Sequence, residues 1–297
     1  MDSYEKLKAY SCTENPGHAV AGLRTLDYFF LGHRLMARIK HRSFAETMRD
    51  PEQVAFLTSL VRRYKADVSV DYSDPDALLP HQYAVFQLYY GSINQFRPAV
   101  ARWIYCTLKP RVGILDFSSG WGGRALAAMS LGIPYYGVDA NTKLRSSYTK
   151  MIEFVRPESP IQMTFAPSET VDFSQFDYDL VFTSPPYFML EEYERMPAYG
   201  SKEAFLERFF RPVVQNAWRH LRTGGHMALN MPHDMYMAVR DMLPPVQRRI
   251  RMVKHNKHPV NAARGREIGA TKMSAHELIY VWKKGGGSRR RVTRKLR

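Results

Sequence analysis

Residues Val112–Asp139 read VGILDFSSGWGGRALAAMSLGIPYYGVD, and this stretch decides the fold. An apolar run over Val112 to Phe117 predicts a short strand, and Gly122 to Leu131 carries the apolar spacing of a helix. Pro134 to Val138 then predicts a second strand. A strand, a glycine turn, a helix and another strand make a parallel β-α-β unit. Outward from it the alternation continues. A helix is expected over Lys143 to Phe154, and strands over Ile161 to Phe165 and Tyr178 to Thr183. Lys202 to Leu221 predicts a long helix stopped by Thr223-Gly224-Gly225. His226 to Met231 predicts a fifth strand, and Asp234 to Leu243 a helix broken by Pro244-Pro245. Arg248 to Val253 and Glu277 to Trp282 complete the sheet as a hairpin-like pair. The expected fold class is therefore α/β, with a mostly parallel seven-stranded sheet.

Residues 1–105 form a helical N-terminal extension in this reading. His18 to Arg42 places Ala21, Leu26, Phe29, Phe30, Leu35 and Ile39 at helical spacing, with basic residues between them. Ser43 is placed to cap a short turn, and Asp50-Pro51-Glu52 opens a helix over Val54 to Tyr64. Asp71 to Pro80, rich in acids and prolines, reads as a loop. The main α/β domain is expected over residues 106–284, and residues 285–297 as a basic flexible tail behind a glycine linker.

The chain has 297 residues, 45% of them apolar, and a formal charge of +15. That apolar content supports a substantial core, and the charge points to a polyanionic partner, most simply nucleic acid. Cys12 and Cys106 lie far apart with no Cys-x-x-Cys spacing, which argues against a disulfide framework or a zinc site and fits a reducing compartment. With no signal pattern and no apolar run of membrane-spanning length, an intracellular protein of cytoplasm or nucleus is expected, without a membrane partner. The histidines lack paired spacing, so no metal is expected.

Two acids mark a ligand site. Asp116 ends the first expected strand, and the turn Phe117-Ser118-Ser119-Gly120-Trp121-Gly122-Gly123 follows at the sheet edge where such folds bind nucleotides. The turn lacks the Gly-x-Gly-x-x-Gly spacing of a pyrophosphate site, and an acid there suits a cationic amino group better than a phosphate. Asp139 ends the second expected strand, placed to accept from two ribose hydroxyls. A nucleoside that carries a positive charge and no phosphate fits both: S-adenosyl-L-methionine. Further on, Asp179 to Phe188 reads as a short buried strand cut off by Ser184-Pro185-Pro186-Tyr187. Two prolines make a stiff ledge of carbonyl acceptors and an aromatic ring follows. Such a ledge suits a planar group gripped by its amino edge.

Asp-Phe-Ser-Ser-Gly-Trp-Gly-Gly, Gly-Val-Asp-Ala and Thr-Ser-Pro-Pro-Tyr together resemble the S-adenosylmethionine-dependent amino-methyltransferases that act on exocyclic nitrogens of nucleobases. These include the DNA adenine-N6 and cytosine-N4 enzymes. Ser274 to Trp282 is similar to their final strand, and Tyr90 to Arg102 to the segment that covers the cofactor methionine. The whole looks closest to methyltransferase-like proteins of phages and large DNA viruses. The resemblance covers residues 90–284 and implies a Rossmann-like class I methyltransferase fold. It implies that Asp116, Ser118, Gly120 and Gly122 hold the methionine part, with Asn94 and Phe96 over it. It also implies that Asp139 and Ala140 hold the ribose and that Glu169 lies near the adenine. Trp121 either packs on the cofactor or fills the loop. Phe96 has an equal reading as a core residue, and Glu169 as a solvated acid.

By the same resemblance Ser184, Pro185, Pro186 and Tyr187 are the catalytic residues. The Ser184 hydroxyl and the Pro185 carbonyl would accept the amino protons while Tyr187 stacks on the base. An exocyclic amino nitrogen is a poor nucleophile because its lone pair is delocalised, so positioning and electrostatics must carry the rate. A duplex base must be flipped out or already unpaired to reach such a pocket. Phe188 to Gly200 is expected to be a loop over the target. Lys254, Lys257, Arg264, Arg266 and Lys272 are expected to contact phosphates or bases. The expected function is methyl transfer to cytosine N4 or adenine N6 in DNA. An RNA adenine-N6 or guanine-N2 methyltransferase is the alternative, as is a non-catalytic nucleic-acid-binding protein that keeps the fold. The expected partner is nucleic acid, DNA before RNA. A protein partner or a homodimer stays open, because little of the chain is left for a separate target-recognition domain.

Overall fold

A computed structural model describes residues 2–13, 16, 19–39, 42–64, 70–91, 93, 95–186, 199–252 and 277–285. Among them, seven strands form one sheet: β1 Ile114–Asp116, β2 Tyr135–Val138, β3 Ile161–Thr164, β4 Leu180–Thr183, β5 His226–Met231, β6 Arg248–Met252 and β7 Glu277–Lys283. Their order is β3-β2-β1-β4-β5-β7-β6. The first five run parallel, with Asp116 opposite Gly137 and Leu115 opposite Val181. β7 is antiparallel to both of its neighbours, with Leu229 opposite Tyr280 and Ile250 opposite Ile279. This is the expected Rossmann-like class I methyltransferase fold. The chain steps outward from β1 to β3, then returns to lay β4 on the other side of β1. The crevice at the carboxyl ends of β1 and β4 is therefore the topological switch point, where open α/β sheets bind ligands.

The helices are α1 Asp2–Lys8, α2 Leu23–Met36, α3 Phe44–Thr47, α4 Pro51–Tyr64, α5 Pro75–Tyr90, α6 Pro98–Leu108, α7 Gly123–Met129, α8 Arg145–Val155, α9 Lys202–Phe205, α10 Arg211–His220 and α11 His233–Val239. One apolar core lies on the sheet face that carries Ile114, Phe182 and Ala228. It also takes in Leu7, Leu26, Phe30, Ile104 and Tyr105 from the N-terminal helices. The opposite face packs Leu115, Val181 and Leu229 against Phe209, Val213 and Val214. A third core, with Phe44, Leu57, Val61, Val85 and Phe86, belongs to α3, α4 and α5.

Local chemistry explains the helix starts. Ser43 and Glu46 form a reciprocal capping box at α3, with Glu46 N donating to Ser43 Oγ over 3.1 Å and Ser43 N to Glu46 Oε2 over 2.9 Å. Asp50 caps α4 through the amides of Glu52 and Gln53. The expected loop over Asp71 to Pro80 is corrected: Asp74 caps α5, Pro75 occupies its first turn, and Pro80 lies inside the helix. At Pro75 the missing N–H costs nothing, because first-turn amides have no intrahelical partner; Pro80 lies past that turn and removes one helical bond, which the packing of α5 against α4 outweighs.

The expected boundary at residues 105 and 106 falls within α6. The expected helix over Lys202 to Leu221 is formed, with a π-helical stretch Leu206–Phe210 between α9 and α10. The cysteine reading is also corrected. Cys12 and Cys106 form a disulfide across 94 residues of sequence, with their Cα atoms 5.9 Å apart. The fold lays the end of α1 beside α6, a proximity that spacing in the sequence cannot convey. Among the described residues no helix is long and apolar enough to cross a membrane.

Candidate functional site

The turn after β1 is built from below by a buried ion pair. Asp116 is 0% exposed and Arg124, the second residue of α7, is 4% exposed. Arg124 Nε donates to Asp116 Oδ2 over 2.6 Å, and the Tyr135 hydroxyl donates to the same oxygen over 2.5 Å. Ser118 N donates to Asp116 Oδ1 over 3.2 Å, and the Arg124 guanidinium also reaches the Ser118 carbonyl. The Asp116 carboxylate is thus spent inside the protein. It shapes the turn and presents no free oxygen to the crevice. Burial, then the Asp116 charge, pushes the Tyr135 hydroxyl well above its usual value, so it stays a donor.

Above this pair the glycines have separate reasons. Gly122 sits at φ +77°, and a Cβ there would meet the Phe30 ring of α2 at 2.9 Å. At Gly123 a Cβ would fall 1.9 Å from the Phe96 carbonyl oxygen, so the segment before α6 is clamped onto the turn. Gly120, at φ +56°, is the open one, since a Cβ there would meet only the Ser118 carbonyl at 4.0 Å. Its amide donates to Asp139 Oδ2 over 2.7 Å, and Asn141 N donates to Asp139 Oδ1 over 2.9 Å. Burial raises the Asp139 carboxyl to about 6 against those two amide bonds, which lower it. The Tyr148 hydroxyl holds the Gly120 carbonyl over 2.9 Å.

Trp121 is 7% exposed and belongs to the core that contains Leu26 and Phe30. The Phe96 ring meets Phe182 edge-on at 5.4 Å, and the Arg124 guanidinium lies over it at 5.2 Å. The half-buried Ala140 follows Asp139 at the end of β2. Glu169 lies in the turn Ser168–Thr170 after β3, where the Tyr199 hydroxyl donates to its Oε1 over 3.2 Å. The structure therefore brings Ser118, Gly120, Asp139 and Ala140 to one rim, with Phe96 beneath it among core rings. Asn94 lies outside the described residues.

Ser184 and Pro186 are half-buried at the carboxyl end of β4, and Pro185 is buried between them. Asn230, 2% exposed near the end of β5, donates its Nδ2 to Ser184 Oγ over 3.1 Å. Beside them the Thr183 Oγ1 is buried with no hydrogen-bond partner among the described residues. Tyr187 and the expected nucleic-acid contacts Lys254, Lys257, Arg264, Arg266 and Lys272 lie outside the described residues. Sequence reasoning missed Arg124, Tyr135, Tyr148 and Asn230. Only Asn230 left a clear signal, an amide within the apolar run His226 to Met231.

The Asp139 carboxylate and the open Gly120 turn stand on one side of the crevice. The Ser184-Pro185-Pro186 ledge lies across the switch point from that turn. Among the described residues no group of three or more histidine, cysteine or acidic side chains is placed to hold a metal.

No protein-family model matches the chain, and no curated protein matches it. Solved structures similar to it include TrmN from Thermus thermophilus, at 18% identity over 63% of this chain and 48% of that one, with a TM-score of 0.45. A methyltransferase from Pyrococcus furiosus aligns at 17% identity over 71% of this chain and 98% of its own, with a TM-score of 0.39. The 16S rRNA N2 G1207 methyltransferase RsmC of T. thermophilus, in complex with AdoMet and guanosine, aligns at 14% identity over 59% of this chain and 36% of its own, with a TM-score of 0.34. The chain spans about half the length of TrmN. At these scores none of the three decides what this chain binds or acts on.

Proposed function

We propose that this chain is an S-adenosylmethionine-dependent methyltransferase that acts on an exocyclic amino nitrogen of a base in DNA, cytosine N4 or adenine N6. The observation that carries the reading is the placement of Ser184. It stands at the carboxyl end of β4, beside β1 at the switch point, with its oxygen held by Asn230. Gly120 and Asp139 frame the neighbouring rim, and the Asp139 carboxylate is an acceptor that fits ribose hydroxyls. Asp116 supports the methionine side indirectly, by fixing the turn through Arg124, while Gly120, whose missing side chain leaves the turn open, gives the cofactor room there.

When bound, the cofactor supplies an electrophilic methyl group on a sulfonium. The chain's own residues orient the acceptor. Ser184 Oγ and the Pro185 carbonyl take the two amino hydrogens, which turns the nitrogen lone pair out of conjugation and toward the methyl group. A serine hydroxyl is a weak base, so the proton leaves the nitrogen after methyl transfer, when the product ammonium is acidic. Tyr187 stacks on the extruded base, and the lysine- and arginine-rich segment from Lys254 to Lys272 holds phosphates. The formal charge of +15 supports a polyanionic substrate.

Incubation of matched DNA and RNA pools with labelled cofactor, followed by nucleoside mass spectrometry, tests the reading. N4-methylcytosine or N6-methyladenine in DNA is the expected product. Label in RNA alone would replace DNA with RNA as the substrate, and no label in either pool would remove the activity.

A further inference from the structure

The outer surface of the seam between α2 and α8 has features that neither the fold nor the proposed catalytic crevice requires. Tyr28 is 80% exposed and Phe154 48% exposed, unusual for rings on a well-packed pair of helices. They belong to one cluster: the Phe29 ring lies 4.9 Å from Tyr28 and 5.6 Å from Phe154, and Tyr28 and Phe154 lie 6.5 Å apart at a shallow 33°. At the other end of the seam His33 Nε2 and Ser147 Oγ lie 3.0 Å apart. The two helices therefore run antiparallel. Between these contacts, helical spacing sets Gly32 of α2 across from the exposed Lys150 of α8.

Gly32 is the odd residue. It sits in the interior of α2 with ordinary helical φ, and a Cβ there would meet nothing within 4 Å. A helix-interior glycine destabilises its helix relative to alanine, and internal packing gives no reason for this one. Its effect is a low floor between Tyr28 and Met36, the latter 57% exposed. Cations flank that floor. Arg24 lies one turn before Tyr28, Lys150 lies across the seam, and Lys143 lies one turn before Ser147. Of the acids nearby, Asp27 is taken up by Arg34 and by Gln95, and Glu153 is exposed on α8.

We propose that this seam is a docking track for a single strand of nucleic acid, with bases stacked on Tyr28 and Phe154 and phosphates on Lys150, Lys143 and Arg24. Exposed rings beside cations are the combination by which proteins hold single strands, because every base has a face to stack while a duplex hides its faces. From Lys143 to Phe154 the track is about 17 Å long, room for a few nucleotides. Its Lys143 end lies two residues beyond Asn141, which bonds Asp139 at the crevice rim. The inference rests on the proposed nucleic-acid substrate and adds its strand state.

Fluorescence anisotropy with a labelled mixed-sequence single-stranded oligonucleotide, and with its duplex, tests the track on the full chain. The wild type should prefer the single strand. Joint replacement Tyr28→Ala and Phe154→Ala should weaken single-strand binding at least tenfold, and Lys150→Glu should reduce the salt dependence of binding. Unchanged affinity in the double variant would overturn the proposal. So would a double variant that loses only self-association in a sizing experiment, since the rings would then face a second copy. The methyl-transfer assay reports separately: binding that needs the rings, with no methyl transfer, leaves the track standing and removes the enzymatic reading.

Discussion

Asn230 Nδ2 donates to Ser184 Oγ over 3.1 Å, tying the end of β5 to the ledge at the end of β4. Asn230 is an amide in an otherwise apolar strand and is 2% exposed, so its position is costly unless the contact is used. The bond fixes the Ser184 rotamer and leaves one lone pair of its oxygen open, which the proposed function assigns to an amino hydrogen. Ser184→Ala is expected to lower methyl transfer at least a hundredfold while cofactor affinity stays within about twofold, as for removal of one preorganised group at a reacting centre. Asn230→Leu should lower kcat by roughly tenfold with little change in KM for the cofactor. Single-turnover rates and calorimetric cofactor binding on both variants check this; full turnover in both would place the chemistry elsewhere.

The Asp116–Arg124 pair predicts a different phenotype. Removal of one member of a buried ion pair leaves an uncompensated charge and costs about 3–5 kcal/mol. Arg124→Met should therefore lower the unfolding midpoint sharply, and Asp116→Asn less so, because Tyr135 can still donate to the amide oxygen. The joint change Asp116→Asn with Arg124→Met should recover much of the loss, since no charge remains buried. Denaturant unfolding of the three variants reads the coupling. Additive losses would show that the two groups act independently.

The core of the domain was legible in the sequence because apolar periodicity and glycine turns are local signals. His226 to Met231 predicted β5 to the residue, and the glycine turn marked the crevice. What stayed hidden depends on distant chain. Asp116 reads as a free acid at a strand end, and only the folded structure shows it enclosed by Arg124 and Tyr135. Nothing near Cys12 announces Cys106. Pro80 reads as a breaker, and it is the distant packing of α5 against Leu57 and Val61 of α4 that carries the helix through it.

The disulfide gives a third expectation. A cross-link that closes a loop of this length contributes about 4–5 kcal/mol in the chain-entropy model. Reduction should lower the thermal midpoint by roughly 5–10 °C for a chain of this size. It should not release α1, because Arg102 also donates to the Lys8 carbonyl over 2.8 Å and the Tyr10 carbonyl over 3.2 Å, and Leu7 is fully buried. Melting with and without reductant checks the first point, and a Cys106→Ser variant should be blind to the reductant. Hydrogen exchange over residues 2–8 checks the second.

Asp139 sets the pH dependence. Its carboxyl is raised to about 6 by burial, against an unfolded value near 3.9. The sign follows from which form each state prefers. The group favours the fold below its unfolded value and loses that contribution as pH rises through about 6. Ribose hydroxyls donate to the charged form, so the proposed cofactor should bind more tightly as pH climbs through 6 and level off above 7, with proton release at pH 5–6. Calorimetric titration in two buffers of different ionisation enthalpy measures both. Asp139→Asn removes the titrating group, and its cofactor affinity should be weaker and flat from pH 5 to 8. A wild-type affinity that is also flat over that range would mean that the ribose does not rest on Asp139.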